Sequence, residues 1–309
     1  MILVAGSANI DFVTPVDHLP APGETVLGTA YTLSAGGKGA NQAVACARAG
    51  GQVRFLGRLG DDPFAAQLRA SFSQSGVSDL SLTDTLPTGA AFISVSREGE
   101  NAITVASGAN SAVAAADLPE LEGVAFLMMQ LEIPLVTVTA FARAARAAGT
   151  KVLLNASPAQ SLSADLLTRI DVLVVNEQEL ATLTAAGQGG ERTVLEQVQA
   201  ARRLGPQTVV VTLGGRGSLA LGPGGWVELP AHQVKVLDTT GAGDTYAGVL
   251  TAGLDAGLPL ESAMRRASVA AALACTRAGA QPSMPWEAEI EAALGTGSLD
   301  SGSLGPQSL

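Results

Sequence analysis

Asp238-Thr239-Thr240-Gly241-Ala242-Gly243-Asp244 opens a long Ala- and Gly-rich stretch and is the strongest chemical signal in the chain. With no bulk at Gly241, Ala242 and Gly243, the backbone can curl so that successive N–H groups point outward. Those N–H groups and the positive end of the following helix make a cradle for developing negative charge. Asp244 falls in the first helical turn beside that cradle, its carboxylate placed to accept a proton. A base next to an oxyanion cradle is what phosphoryl transfer to an alcohol requires. The competing reading is a helix start with the usual acidic first turn.

Four further clusters carry suitable groups. Gly36-Gly37-Lys38-Gly39-Ala40-Asn41 precedes an Ala-rich helix and allows close backbone approach to a ligand, with Asn41 offering donor and acceptor to a hydroxyl. It lacks the spacing of a P-loop, and no dinucleotide fingerprint occurs at the first strand–helix turn. Asn9 and Asp11, two residues apart where the first strand ends, suit adjacent sugar hydroxyls or serve as turn residues. Asn176 and Glu179 share a face at a helix start and either orient water around Mg²⁺ or form a capping box. Thr212-Leu213-Gly214-Gly215-Arg216-Gly217 admits a nucleotide near the backbone or simply turns a hairpin. Glu132, taken alone, reads as a solvated loop residue or a cap. His18 and His232 lie in extended segments away from these clusters, with no Ser or Cys nucleophile near, and read as surface or turn residues.

The elements that must position these groups alternate. Apolar, β-branched runs at 2–6, 53–59, 124–129, 151–154, 171–175 and 208–213 read as strands covered on both faces. Helical stretches are expected at 37–50, 62–75, 134–149, 177–185, 191–204, 241–256, 259–276 and 285–294. The fold class is therefore α/β, a doubly wound and mostly parallel sheet whose strand ends carry the ligand loops. Segments 12–34 and 88–106 break the alternation and read either as a small β-sheet lid or as an edge extension of the main sheet. One domain is expected over 1–294, with 295–309 a disordered Gly/Ser-rich tail.

The 309 residues are 47% hydrophobic and 15% charged, which excludes a disordered or fibrous chain. A formal charge of −10 argues against nucleic-acid or anionic-membrane partners, so any phosphate must be held locally. Cys46 and Cys275 offer neither a disulfide framework nor metal-ligand spacing and read as small core residues. The start lacks a basic region and a cleavage pattern, so the expected location is cytoplasmic.

Taken together, GGKGAN at 36–41 and DTTGAGDTYAG at 238–248 resemble the two signatures of the ribokinase family of PfkB-type sugar kinases. GSANID at the first strand, PGETV at 22–26, MQLE at 129–132 and TRAGAQPSMPW at 276–286 follow in the family's order, leaving only the tail uncovered. Ser34-Ala35 and Thr240-Gly241 depart from some members. The resemblance implies a kinase that phosphorylates D-ribose at the 5-hydroxyl with ATP. Relatives acting on deoxyribose, fructose or a nucleoside, and a non-catalytic sensor, are the alternatives. It implies sugar contacts from Asn9, Asp11, Gly37, Lys38, Gly39, Asn41 and Glu132, with Asp244 as base and Gly241, Ala242 and Gly243 as anion hole. ATP contacts fall on Asn176, Thr212, Gly214, Gly215, Arg216, Gly217, Gly243 and Ser268. Glu179 would act on Mg²⁺ through water, and Asp238, Thr240, Ala274, Arg277, Gly279 and Ser283 would hold a monovalent cation, usually K⁺. A lid that doubles as a homodimer contact is implied as well.

Overall fold

The computed structural model describes residues 1–184 and 192–296. The chain lays down β1 (Ile2–Ala5), crosses into β2 (Asn9–Pro15) and β3 (Thr32–Gly36), and returns through α1 (Lys38–Arg48) to β4 (Val53–Leu56). Short strands β5 (Arg58–Gly60), β6 (Ser78–Asp79) and β7 (Leu82–Asp84) flank α2 (Pro63–Ser75), and the antiparallel pair β8 (Gly89–Val95) and β9 (Asn101–Ala106) follows. Strands β10 (Phe126–Met129), β11 (Lys151–Asn155), β12 (Val172–Asn176) and β13 (Thr208–Thr212) then alternate with α3 (Leu135–Ala147), α4 (Ala164–Leu167), α5 (Glu177–Thr184) and α6 (Val194–Arg203). An antiparallel pair, β14 (Ser218–Gly222) and β15 (Gly225–Leu229), precedes α7 (Ala242–Asp255), α8 (Leu260–Ala274) and α9 (Glu287–Thr296).

The main sheet runs β15-β14-β13-β12-β11-β10-β1-β4-β6 and is parallel except where β14 and β15 join its edge. Period-two alternation feeds two cores. Ile2 and Val4 of β1, with Met128, Leu153, Val174 and Val210, pack under α1, α2, α7 and α8. Leu3 and Ala5, with Leu127, Leu154, Leu173 and Val211, pack under α3, α5 and α6. Both faces are thus buried, the condition that makes these strands continuous in apolar residues. Burying a Leu or Val side chain is worth about 1.5–3 kcal/mol, so each strand is held by its own composition.

The expected strands and helices are present, most with shorter ends. However, β11 runs on to Asn155, β12 is shifted by one residue, and α9 runs to Thr296, so residues 295 and 296 of the expected tail are helical. The run 53–59 divides into β4 and β5, and the edge pair β14–β15, short α4, β6 and β7 were not anticipated. The two exceptional segments form a separate four-stranded sheet, order β3-β2-β8-β9, and do not extend the main sheet. That sheet begins earlier than expected, at Asn9, and residues 16–31 between β2 and β3 contain no strand. Of the expected C-terminal tail, residues 297–309 lie outside the described residues, as do 185 and 191 at the ends of two expected helices.

Helices α1 and α7 make an unusually close contact, and Gly248 permits it. A Cβ there would meet the Gln42 carbonyl oxygen at 2.6 Å, Ala45 Cβ at 2.8 Å and the Cys46 nitrogen at 3.0 Å. Overpacking of this kind costs about 1–3 kcal/mol. Gly248→Ala is therefore expected to lower the unfolding free energy by that amount, read as a lower urea midpoint at unchanged m-value; an unshifted midpoint would show that the helices are not in contact there.

Candidate active site

Glycines seat the start of α1 on the loop after β1. Gly37 has φ +84°, and a Cβ on it would lie 2.7 Å from the Asn9 nitrogen; one on Gly39 would lie 2.7 Å from the Gly6 carbonyl carbon. Glu132, in the loop after β10, accepts from the Lys38 N–H at 3.1 Å and from Ser7 Oγ at 2.6 Å, so it caps α1 from across the sheet. It is neither solvated nor the cap of its own segment. From the first two turns of α1, Asn41 Nδ2 donates to Asp244 Oδ2 at 3.0 Å and Gln42 Nε2 donates to Oδ1 at 2.9 Å. The Asp244 carboxylate is buried, 8% exposed, and is more constrained than the freely accepting group expected from sequence. Gln42 and Asn155, which Gln42 also contacts, escaped sequence reasoning. The available signal was a Gln beside Asn41 in an otherwise small and apolar helical run.

At the start of α7, Gly241 adopts φ +74°. The cradle is smaller than expected: the Ala242 N–H donates to the Thr239 carbonyl at 3.2 Å. The N–H groups of Gly241 and Gly243 have no hydrogen-bond partner among the described residues. They border a cleft of about 150 Å³ together with Lys38, Asn176, Glu179, Thr212 and Asp244. Lys38 was expected among sugar contacts; here it lines this cleft and forms no ion pair among the described residues. Burial works against its charge, but Asp244, Glu132 and Glu179 outweigh it and hold the ammonium pKa above its ordinary value. The cleft thus offers an anion one full positive charge and two open amides.

On one side of Asp244 lies a cavity of about 380 Å³ bordered by Asn9, Val105, Asn110, Leu131, Glu132 and Pro134. Asn9 and Asp11 share a face of β2, inside the strand instead of at its end. Asn110 Nδ2 donates to Asn9 Oδ1 at 2.7 Å and fixes that amide. Gly36 of β3 pairs with Asn9 and leaves room for the Asp11 side chain, whose Oδ2 a Cβ there would meet at 2.1 Å. Burial first, then the neighbouring Glu132 and Asp244 charges, raise the Asp11 pKa to about 7. A buried carboxylate among like charges favours its neutral form.

On the other side is a more apolar pocket of about 250 Å³ bordered by Thr212, Gly214, Gly215, Gly217, Gly243 and Ser268, among others. The turn after β13 both starts an antiparallel strand and lines this pocket, so its two readings coexist. Arg216 does not border it; the guanidinium pairs with Glu177 at the exposed start of α5. His232 and Cys275 do line it, correcting the expectation of a remote histidine and a core cysteine. Asn176 and Glu179 form a reciprocal capping box, each backbone N–H donating to the other's side chain at 2.8 Å, while both also face the cleft.

The loops of Asp238 and Gly279 are tied together by one carboxylate. Asp238 Oδ1 accepts from the Thr240 N–H at 2.9 Å and from its hydroxyl at 2.6 Å, and Oδ2 accepts from the Gly279 N–H at 2.8 Å. The carbonyl oxygens of Asp238, Thr240, Arg277 and Gly279 have no hydrogen-bond partner among the described residues, a donor set suited to a hard cation. The Ala274 carbonyl already accepts from the Arg277 N–H at 3.1 Å, and Ser283 Oγ donates to the Ala280 carbonyl at 2.7 Å. No group of three or more His, Cys, Asp or Glu side chains among the described residues is arranged to hold a metal.

A cleft that holds an aspartate beside a helix N-terminus, sharing Thr212 and Gly243 with the apolar pocket, is the arrangement of a group-transfer enzyme of the α/β class. Residues 1–287 match the family described as pfkB family carbohydrate kinase, and the chain belongs to that family. It is 38% identical over 295 residues to the ribokinase of Haemophilus influenzae, covering 93% of this chain and 96% of that protein. Its fold is similar to that of a Thermotoga maritima ribokinase (TM-score 0.88, 34% identity, 96% and 99% of the two chains). It is also similar to an Arabidopsis thaliana ribokinase complexed with ribose and ATP (TM-score 0.84, 30% identity, 95% and 98%). Among the described residues no helix is long and apolar enough to cross a membrane.

The raised Asp11 pKa has a sign. The folded value of about 7 lies above the ordinary 3.8, so the native state binds an extra proton between those limits. Stability is then lost as pH rises from about 4 to 7. Asp11→Asn is expected to stabilise the ligand-free protein by roughly 1–4 kcal/mol at pH 8 and by nothing near pH 3. Denaturation midpoints of the two proteins that run parallel across this range would contradict the assignment.

Proposed function

We propose that this kinase transfers the γ-phosphoryl group of ATP to the 5-hydroxyl of D-ribose, giving ribose 5-phosphate and ADP. The observation that carries the reading is the position of Asp244, clamped by Asn41 and Gln42 of α1 and bordering the amide-lined cleft. The names of the relatives, and the ribose and ATP bound to the Arabidopsis protein, support ribose as acceptor.

In this reading the pentose lies against Asn9, Asp11, Gly37, Gly39, Asn41 and Glu132 with its primary hydroxyl toward Asp244. Asp11 has lone pairs for two ring hydroxyls, and their donation favours its ionised form. Asp244 takes the hydroxyl proton as the oxygen attacks phosphorus in line, and releases it to solvent after ADP departs. The Gly241 and Gly243 amides, with Lys38, receive the charge that spreads over the transferring oxygens. The purine lies in the pocket of Gly214, Gly215, Gly217 and Ser268. Glu179 and Asn176 border the phosphate cleft and fit a Mg²⁺ held through water, which when bound neutralises the β- and γ-phosphate oxygens. The open carbonyls around Asp238 fit a monovalent cation, which would hold the two loops and the direction of the adjacent amides.

The sheet β3-β2-β8-β9 acts as a lid that excludes water during transfer. Its exposed apolar residues, Ile103 at 54% and Val105 at 47% among them, support a homodimer formed through the lid. Size-exclusion chromatography with light scattering is expected to give a dimer for the native chain and a monomer for Ile103→Asp; a monomeric native chain would end that part of the proposal.

ADP release measured across a panel of pentoses, hexoses and nucleosides tests the acceptor. D-Ribose is expected to give the largest kcat/KM, and a preference for fructose, deoxyribose or a nucleoside would reassign the substrate. Asp244→Asn is expected to reduce kcat by about 10²–10⁴-fold with sugar binding by calorimetry retained; normal turnover would remove the base from the mechanism.

A further inference from the structure

Gln42 is fully buried and has no route to any ligand, yet its carboxamide is oriented without ambiguity. Its Nε2 donates to Asp244 Oδ1 and to Asn155 Oδ1, each at 2.9 Å, and its Oε1 accepts from Gln130 Nε2 at 2.6 Å. Rotating the amide by half a turn would set oxygen against two oxygens and NH₂ against NH₂. Asn155 is itself fixed, its Nδ2 donating to the Val174 carbonyl at 3.2 Å. Gln130 fits in the space left by Gly6, where a Cβ would approach its Oε1 to 2.0 Å, and that Oε1 has no hydrogen-bond partner among the described residues. On the other carboxylate oxygen, Asn41 is held by Gln281 Nε2 donating to its Oδ1 at 3.1 Å.

We propose that Gln42, held by Gln130 and Asn155, is a positioning residue that aims the Asp244 carboxylate at the acceptor hydroxyl. The inference rests on Asp244 being the base. The Asp244 carboxylate has the acids Asp11 and Glu179 and the cation Lys38 as its charged neighbours. Hydrogen bonds from two carboxamides stabilise the anion without adding a mobile charge or a second proton acceptor. They also occupy one lone-pair direction on each oxygen, leaving the remaining directions for the substrate.

The test compares native protein with Gln42→Leu, Gln42→Glu and Gln130→Met in steady-state kinetics across pH. Loss of aim is worth about 10²-fold in rate, so Gln42→Leu is expected to lower kcat by that order with the sugar KM within about twofold of native. The acidic limb of its kcat profile is expected to move to higher pH. Gln42→Glu is expected to be slowest at high pH and to recover as the introduced carboxyl gains a proton and can donate again. Gln130→Met, which removes one of the three hydrogen bonds that hold the Gln42 amide, is expected to show the same changes at smaller size. A native kcat and pH profile in both Gln42→Leu and Gln130→Met would overturn the proposal. So would losses of kcat that track lowered melting temperature with no movement of the acidic limb. If Asp244→Asn instead retains turnover, it is the identity of the base that fails, a result separable from an unmoved profile in the Gln42 variants.

Discussion

Helices α1 and α7 approach so closely at Gly248 that carboxamides on one reach a carboxylate on the other. Most of the site depends on this contact. Asn41 and Gln42 come from the segment whose glycines seat it on the loop after β1, while Asp244 comes from the turn that presents the amides of Gly241 and Gly243. A displacement of either helix by the width of a methyl group would separate the Asn41 and Gln42 carboxamides from the Asp244 carboxylate. The small residues along both helices, Ala43, Ala45, Ala247 and Gly248 among them, are therefore a requirement of the chemistry as much as of the packing.

Charge is managed locally in a chain that is acidic overall. Asp11 is coupled to Glu132 and Asp244, and Lys38 is the cation shared by Asp244, Glu132 and Glu179. Such an arrangement favours a ligand set that brings its own cations, as a metal-bound nucleotide does, over a bare polyanion. The acceptor side uses the same acids differently: Asp11, partly neutral near pH 7, gains from hydroxyl donors what it lacks in counter-charge. The pocket proposed for the purine carries no such burden, and its walls are mostly small, apolar or glycine.

The doubly wound core was legible because strands buried on both faces are continuous in apolar residues and helices between them are not. The β14–β15 pair was not, since a Gly-Pro-Gly-Gly turn and a half-exposed strand with Trp226 and Glu228 resemble a loop. The lid was legible as extended chain, but Asn9 to Asp11 belong to it through pairing with Gly36 and Gly89, which no local pattern announces. The glycine clusters pointed to the right turns. What they left out were partners distant in sequence: Glu132 capping α1 across 94 positions, Gln42 reaching Asp244 across 202, and His232 entering the apolar pocket. Those placements follow from topology, which a single strand or helix does not encode.

A crystal structure with ADP, a fluoroaluminate mimic of the transferring phosphoryl group, Mg²⁺ and D-ribose tests the central claim most directly. The account predicts equatorial fluorides accepting from the Gly241 and Gly243 N–H groups, and the ribose 5-oxygen in line with aluminium within hydrogen-bond reach of Asp244. A mimic held elsewhere, or a 5-oxygen attended by some other base while Asp244 bonds only to Asn41 and Gln42, would contradict it.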